Sequence, residues 1–216
     1  MIYMSIQNTC DFFGERISEV DFSFITKLEE ENNVDVGENV IVIDNFRIVE
    51  LYLREKEIKQ IPKEIGLLEK LIILDLGYNL ITELPIQINN LASLKDLHID
   101  NNLLDEKSLN ITGLRSLEIL DISCNNFNEL PDIPIPNKIH RLICCSNNIK
   151  ELPIKSKKLI NLSLLDFRCN QIADFPEEIF SLSNLQILAY GFNNFEMTDL
   201  LIRRLNTSLQ TLTIYE

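Results

Sequence analysis

From Ile48 onward the apolar and polar positions of this chain recur about every 23 residues in the order L-x-x-L-x-L-x-x-N-x-L. The second copy is the cleanest, with Leu71, Leu74, Leu76, Asn79 and Ile81 followed by Leu84-Pro85, Ile88 and Leu91. A period of that length marks small stacked units, none of which can bury its apolar face alone. The copies start at Ile48, Leu71, Leu94, Leu117, Ile139, Leu162, Leu185 and Leu209, and the eighth reads as a strand only, to Glu216. In each copy the fourth and sixth positions are apolar, which predicts a short strand with one buried face. The pairs run from Leu51 and Leu53 through Leu74 and Leu76 to Leu188 and Tyr190, then Leu212 and Ile214.

The ninth position holds Asn79, Asn102, Asn125, Asn147, Asn170 and Asn193, with Lys56 in the first copy. An Asn amide has two donors and an acceptor, so this column predicts internal pairing of the backbone where it leaves each strand. That role is structural, not catalytic. The second half of each copy must bring the chain back. Ile61-Pro62, Leu84-Pro85, Leu130-Pro131, Leu152-Pro153 and Phe175-Pro176 place an anchor before a proline, which suits the first turn of a short helix or 3-10 segment. Pro131, Pro134 and Pro136 predict an extended return in the fourth copy, and Met197 to Arg204 the most helical one, in the seventh.

Over residues 48 to 216 this pattern resembles the leucine-rich repeat family, in the 23-residue L-x-x-L-P-x-x-I form shared by Ras-binding scaffolds, plant intracellular Ras-group proteins and many bacterial proteins. The resemblance implies an α/β fold, a right-handed horseshoe solenoid with a parallel β-sheet on its concave face. Short helical, 3-10 or extended segments would form the convex face. It also implies that ligands are other proteins, without saying which.

Residues 1–47 do not keep the period and read as an amino-terminal cap. Ile17, Val20 and Phe22 fit the start of a degenerate coil, whereas Val34 to Val36 and Val40 to Ile43, joined through Gly37-Glu38-Asn39, fit a hairpin better. This segment carries −7 of the net charge of −13, acidity expected to face solvent. Such a balance argues against phosphate backbones and anionic bilayers as partners. The first residues lack the basic start and apolar run of a signal peptide, and no stretch approaches a membrane span, so a cytoplasmic location is expected, with non-classical secretion left open. Five cysteines without framework spacing fit reduced thiols.

Strand alternation assigns positions three, five and seven of each copy to the concave face, with neighbouring copies about 5 Å apart. Position five runs Tyr52, Asp75, His98, Asp121, Ile143, Asp166, Ala189, Thr213. Position seven runs Arg54, Gly77, Asp100, Ser123, Cys145, Arg168, Gly191, Tyr215, and position three Glu50, Ile73, Asp96, Ile119, Arg141, Leu164, Ile187, Thr211. His98 thus stands between Asp75 and Asp121, with Asp96 and Asp100 on its own strand. The plain reading is a solvated acidic face. The sharper ones are a basic partner, since no lysine or arginine offsets these carboxylates, and a divalent cation.

Cys124, Cys145 and Cys169 fall at one edge near His140, but two of them lie about 10 Å apart, so free thiols are expected over zinc. Cys144 stands at a core position. Tyr, Phe and Arg are the types that anchor interfaces, here Tyr52, Tyr78, Phe192, Tyr215, Arg54, Arg141 and Arg168. The expected contact face is Tyr52, Arg54, Asp75, Asp96, His98, Asp100, Asp121, Arg141 and Arg168. No nucleophile and base pair, phosphate loop or metalloprotease spacing occurs, so catalysis, cofactors and a resident metal are not expected. The function expected is a non-enzymatic protein-interaction module. The alternative is the recognition part of a larger enzyme, such as a repeat-bearing ligase effector, which sequence beyond Glu216 would reveal. The strand Leu209 to Ile214 has neither Pro nor Lys to blunt its edge, which suggests a homodimer through that edge.

Overall fold

The computed structural model describes residues 9–37, 40–154, 158–208 and 213–215. A hairpin of β1 (Thr9–Phe12) and β2 (Glu15–Ser18) leads into helix α1 (Glu19–Asn32). Then come β3 (Ile41–Asp44), β4 (Arg47–Tyr52), β5 (Ile73–Asp75), β6 (Asp96–His98), β7 (Ile119–Asp121), β8 (Arg141–Ile143), β9 (Leu164–Asp166) and β10 (Ile187–Ala189). Helix α2 (Asp199–Ser208) and β11 (Thr213–Tyr215) follow. Strands β3 to β11 form one sheet in chain order, parallel from β4 onward. Among the described residues no helix is long and apolar enough to cross a membrane.

The period explains the sheet directly. The fourth position of the first seven coils is buried, and the registers place Leu51, Leu74, Leu97, Leu120, Leu142, Leu165 and Leu188 side by side. This column belongs to one continuous apolar cluster running from Phe12 to Leu205. Burial of that kind contributes roughly 25 cal/mol per Å² of apolar surface, and no single coil can achieve it.

The asparagine column does what its chemistry predicts. Asn79 Oδ1 accepts from the backbone N–H groups of Lys56 (3.1 Å) and Ile58 (3.0 Å), while its Nδ2 donates to the carbonyls of Leu53, Leu76 and Gly77. Asn102, Asn125, Asn147, Asn170 and Asn193 repeat the arrangement, each accepting from the preceding coil. Each of the second to seventh coils is thereby hydrogen-bonded to the coil before it at the point where the strand ends.

On the opposite side, 3-10 turns at Lys63–Leu67, Ile86–Asn90 and Glu177–Ser181 begin directly after Pro62, Pro85 and Pro176. The fourth return, with Pro131, Pro134 and Pro136, has no helix, and its Ile135–Pro136 peptide is cis. The seventh return is the most helical, as α2. That helix changes the count. Ile187, Leu188 and Ala189 pair with Thr213, Ile214 and Tyr215, so these three occupy positions three, four and five of the last coil rather than five, six and seven. An α-helix rises only about 1.5 Å per residue, so its return uses more residues than a 3-10 turn at about 2.0 Å. Leu209, Gln210, Thr211 and Leu212 of the expected strand, and Glu216, lie outside the described residues.

The amino-terminal segment also differs from expectation. Ile17 lies in β2, and Val20 and Phe22 lie on α1 instead of starting a coil. The hairpin partner of β3 is β4 and not Val34 to Val36, which form no strand; Glu38 and Asn39 lie outside the described residues. Ser18 caps α1 by accepting from the Asp21 N–H (3.1 Å), and Asn33 closes it in the left-handed region. Phe24, Ile25 and Leu28 then bury against the solenoid core. Asp21 corrects the expectation that this segment's acidity faces solvent. It is fully buried and accepts from Arg47 Nε (3.0 Å) and from the Ile48 N–H (2.7 Å), tying α1 to the first strand of the parallel series.

Candidate partner-binding face

Positions three and five flank the buried leucine of each strand and form the open face of the sheet. At its amino-terminal end lies an ion-pair network. Arg54 Nη1 donates to Asp75 Oδ1 (2.9 Å) and Asp100 Oδ1 (3.1 Å), and Nη2 donates to Asp100 Oδ2 (2.6 Å). Its guanidinium also sits 4.7 Å from the centre of the Tyr78 ring. Arg54 belongs to the first coil and Asp100 to the third, so the side chain crosses the whole second coil. Gly77 makes that possible. A Cβ there would collide with Arg54 Nη1 and come within 2.7 Å of Asp100 Oδ1.

The carboxylates around His98 are therefore not without a base, as the residue columns suggested. Arg54 takes Asp75 and Asp100. Asp96 has no cationic partner among the described residues. The register does align Asp75, His98 and Asp121, but Asp75 turns toward Arg54 and the Gly77 N–H (2.9 Å). The side chains that do converge are His98, Asp100 and Asp121, with potential ligand atoms within 4.8 Å of one another. Asp100 is already engaged by Arg54 and by Asn101 Nδ2 (2.9 Å). Asp121 accepts from the Ser123 N–H (3.0 Å) and hydroxyl (2.6 Å), yet burial pushes its carboxyl above the ordinary range.

Tyr52, beside this network, donates its hydroxyl to Glu50 Oε2 (2.7 Å). That hydrogen bond, together with burial and the nearby carboxylates, pushes the phenol up to about 12. A raised value means that the fold favours the protonated form, so the stabilisation is intact below pH 10 and disappears as pH rises through about 12. Ultraviolet titration is expected to show a late tyrosine ionisation that Tyr52→Phe removes. A late step that persists in the variant assigns it elsewhere.

Further along, Arg168 grips Asp166 on its own strand through Nε (3.0 Å) and Nη2 (2.6 Å), the sideways pair expected in the plain reading. Arg141 is exposed, and no ion pair to it occurs among the described residues. Cys144 is buried, and burial drives its thiol well up. Cys145 is pushed up to about 11 by burial and by the Asp166 carboxylate. Among the described residues, His98, Asp100 and Asp121 are the one group of three metal-ligating side chains in mutual reach, so the structure does not gather Cys124, Cys145 and Cys169.

Two features lie outside the expected contact face. Leu164 and Ile187 lie side by side at position three of the open face, with Ile143, Asp166 and Ala189 in the next column. The second feature is position eight, where Glu55, Tyr78, Asn101, Cys124, Ser146, Cys169 and Phe192 all have φ between 51° and 58°. This left-handed residue turns the chain out of every strand and leaves its side chain exposed or half-exposed along the rim.

Residues 47–104 match the family pattern described as Leucine rich repeat. Among solved structures, a leucine-rich repeat protein of Leptospira interrogans is 26% identical, with a TM-score of 0.52 over 77% of this chain and 54% of that one. An internalin of Listeria monocytogenes is 24% identical, with a TM-score of 0.62 over 77% of this chain and 46% of its own. The leucine-rich repeat ectodomain of an Arabidopsis thaliana receptor kinase is 23% identical, with a TM-score of 0.52 over 83% and 97%. The chain spans about half the length of the first two. No curated protein matches it by sequence.

Proposed function

We propose that this chain, which is a leucine-rich repeat protein, serves as a non-enzymatic module that binds another protein on the open, concave face of its sheet. The segment before Ile48 acts as the cap of the solenoid. The observation that carries the reading is the Arg54 network. An arginine clamped by Asp75 and Asp100 and stacked against Tyr78, with Tyr52 tethered nearby, presents side chains of the interface-anchoring types already immobilised. Ordering long side chains on binding costs about 0.5–1.5 kcal/mol each, and here that ordering has been done in the free protein. Asp96, His98, Asp121, Arg141 and Arg168 extend the contact face, and its acidic end favours a basic partner. Five cysteines without a disulfide fit a reducing, cytoplasmic setting.

The test is affinity capture from native extract with the wild type, a Tyr52→Ala/Asp96→Lys variant and a control on the opposite side, Glu178→Lys. Partners held on the open face are expected to fall at least about tenfold with the first variant and to persist with the control. Capture that survives the face variant and fails with Glu178→Lys places the contact on the wrong side and ends the proposal.

A further inference from the structure

The open face has a direction. In its first three coils the third-position register runs Glu50, Ile73, Asp96. Arg54 is occupied by Asp75 and Asp100, so its charge does not reach this column, where Asp96 has no cationic partner among the described residues. Farther on the same column continues through Ile119, Arg141, Leu164 and Ile187. The neighbouring cation, Arg168, is cancelled by Asp166. Arg141 therefore separates the end of the column that carries carboxylates, at Glu50 and Asp96, from an apolar end at Leu164 and Ile187.

Resting on the concave-face reading, we infer that the partner contributes a polarised segment, with a basic side chain over Asp96 and an apolar or aromatic side chain over Leu164 and Ile187. Charge complementarity sets its orientation, because the reversed segment would bring its basic group over the apolar Ile187 and leave Asp96 uncompensated. The geometry also sets its length. Asp96 and Ile187 are four coils apart, and a step of about 4.8 Å per coil separates them by about 19 Å. In a polyproline II segment rising about 3.1 Å per residue, the two side chains are about six residues apart.

Rigid peptides of the form Lys-(Pro)n-Phe serve as rulers, read by amide chemical shifts of the full chain. With about five prolines the peptide is expected to shift amides near both Asp96 and Ile187 and to bind several-fold more tightly than peptides with two or eight. Asp96→Lys should abolish the shifts at the acidic end and Ile187→Asp those at the apolar end, each weakening binding about tenfold. Affinity indifferent to spacing, or a Glu-(Pro)n-Phe peptide that binds equally well, overturns the inference. So does the absence of any shift on this face at millimolar peptide. None of those results touches the capture experiment, so loss of the polarity is distinguishable from loss of the binding face.

Discussion

Asn102→Ala is expected to destabilise the fold by about 2–4 kcal/mol, on the scale of truncating a leucine in the core. The side chain is buried and fills four hydrogen-bonding roles. Its Oδ1 accepts from the Ile81 N–H (3.0 Å), and its Nδ2 donates to the carbonyls of Leu76, Ile99 and Asp100 (2.9, 3.2 and 3.1 Å). Alanine leaves the Ile81 N–H without a partner where water does not enter, and removes one of the donors to each carbonyl, which Asn79 Nδ2, Asn125 Nδ2 and the Tyr78 N–H still serve. Each coil contacts only its neighbours, so the damage should concentrate between the second and third coils. Urea titration measures the loss, and amide exchange should quicken first around Ile81 and Ile99. A change below about 1 kcal/mol shows that the ladder is dispensable. Asn102→Asp, which sets a carboxylate oxygen against the same three carbonyls in a buried site, should cost at least as much as alanine at neutral pH.

Gly77→Val is expected to cost about 3 kcal/mol, although the equivalent position elsewhere accepts Asp100, Ser123, Cys145 and Arg168. The obstacle is the guanidinium lying across it. Valine displaces Arg54, and the Asp100 carboxylate, with only 6% of its side chain exposed, loses its cation while remaining buried. Removing one partner of a desolvated pair typically costs about 3–5 kcal/mol, and the 37% exposure of Arg54 lowers that figure here. The decisive measurement is a double-mutant cycle. If valine acts through the displaced arginine, Gly77→Val added to Arg54→Met should cost almost nothing more. Additive losses would mean that the glycine matters for the backbone alone.

The repeating pattern made the sheet legible because each coil satisfies the same two demands, a buried fourth position and a paired ninth. Leu74 and Asn79 report those demands wherever they recur. What could not be read was anything that depends on reach. Arg54 and Asp100 are 46 residues apart. Their contact follows from the absence of a side chain at Gly77, and a glycine in a column of chemistry reads as a blank. Asp21 is a similar case, since a carboxylate in an acidic segment gives no sign that its partners are Arg47 and the Ile48 N–H across a helix and a strand. The last coil was misjudged by two residues for another reason. The apolar pattern of Leu209 and Leu212 mimics a strand start, whereas the helix before it absorbs the extra length and moves the strand to Thr213.

The left-handed residue that ends each strand bears on how such a surface can change over generations. That conformation strongly disfavours β-branched side chains, and none of Glu55, Tyr78, Asn101, Cys124, Ser146, Cys169 and Phe192 is Val, Ile or Thr. Beyond branching, the position asks for nothing, and an acid, a phenol, an amide, two thiols, a hydroxyl and a phenyl ring occupy it in turn. The rim is therefore a place where heredity can rewrite what the molecule touches while leaving whether it folds to the leucines and asparagines behind it.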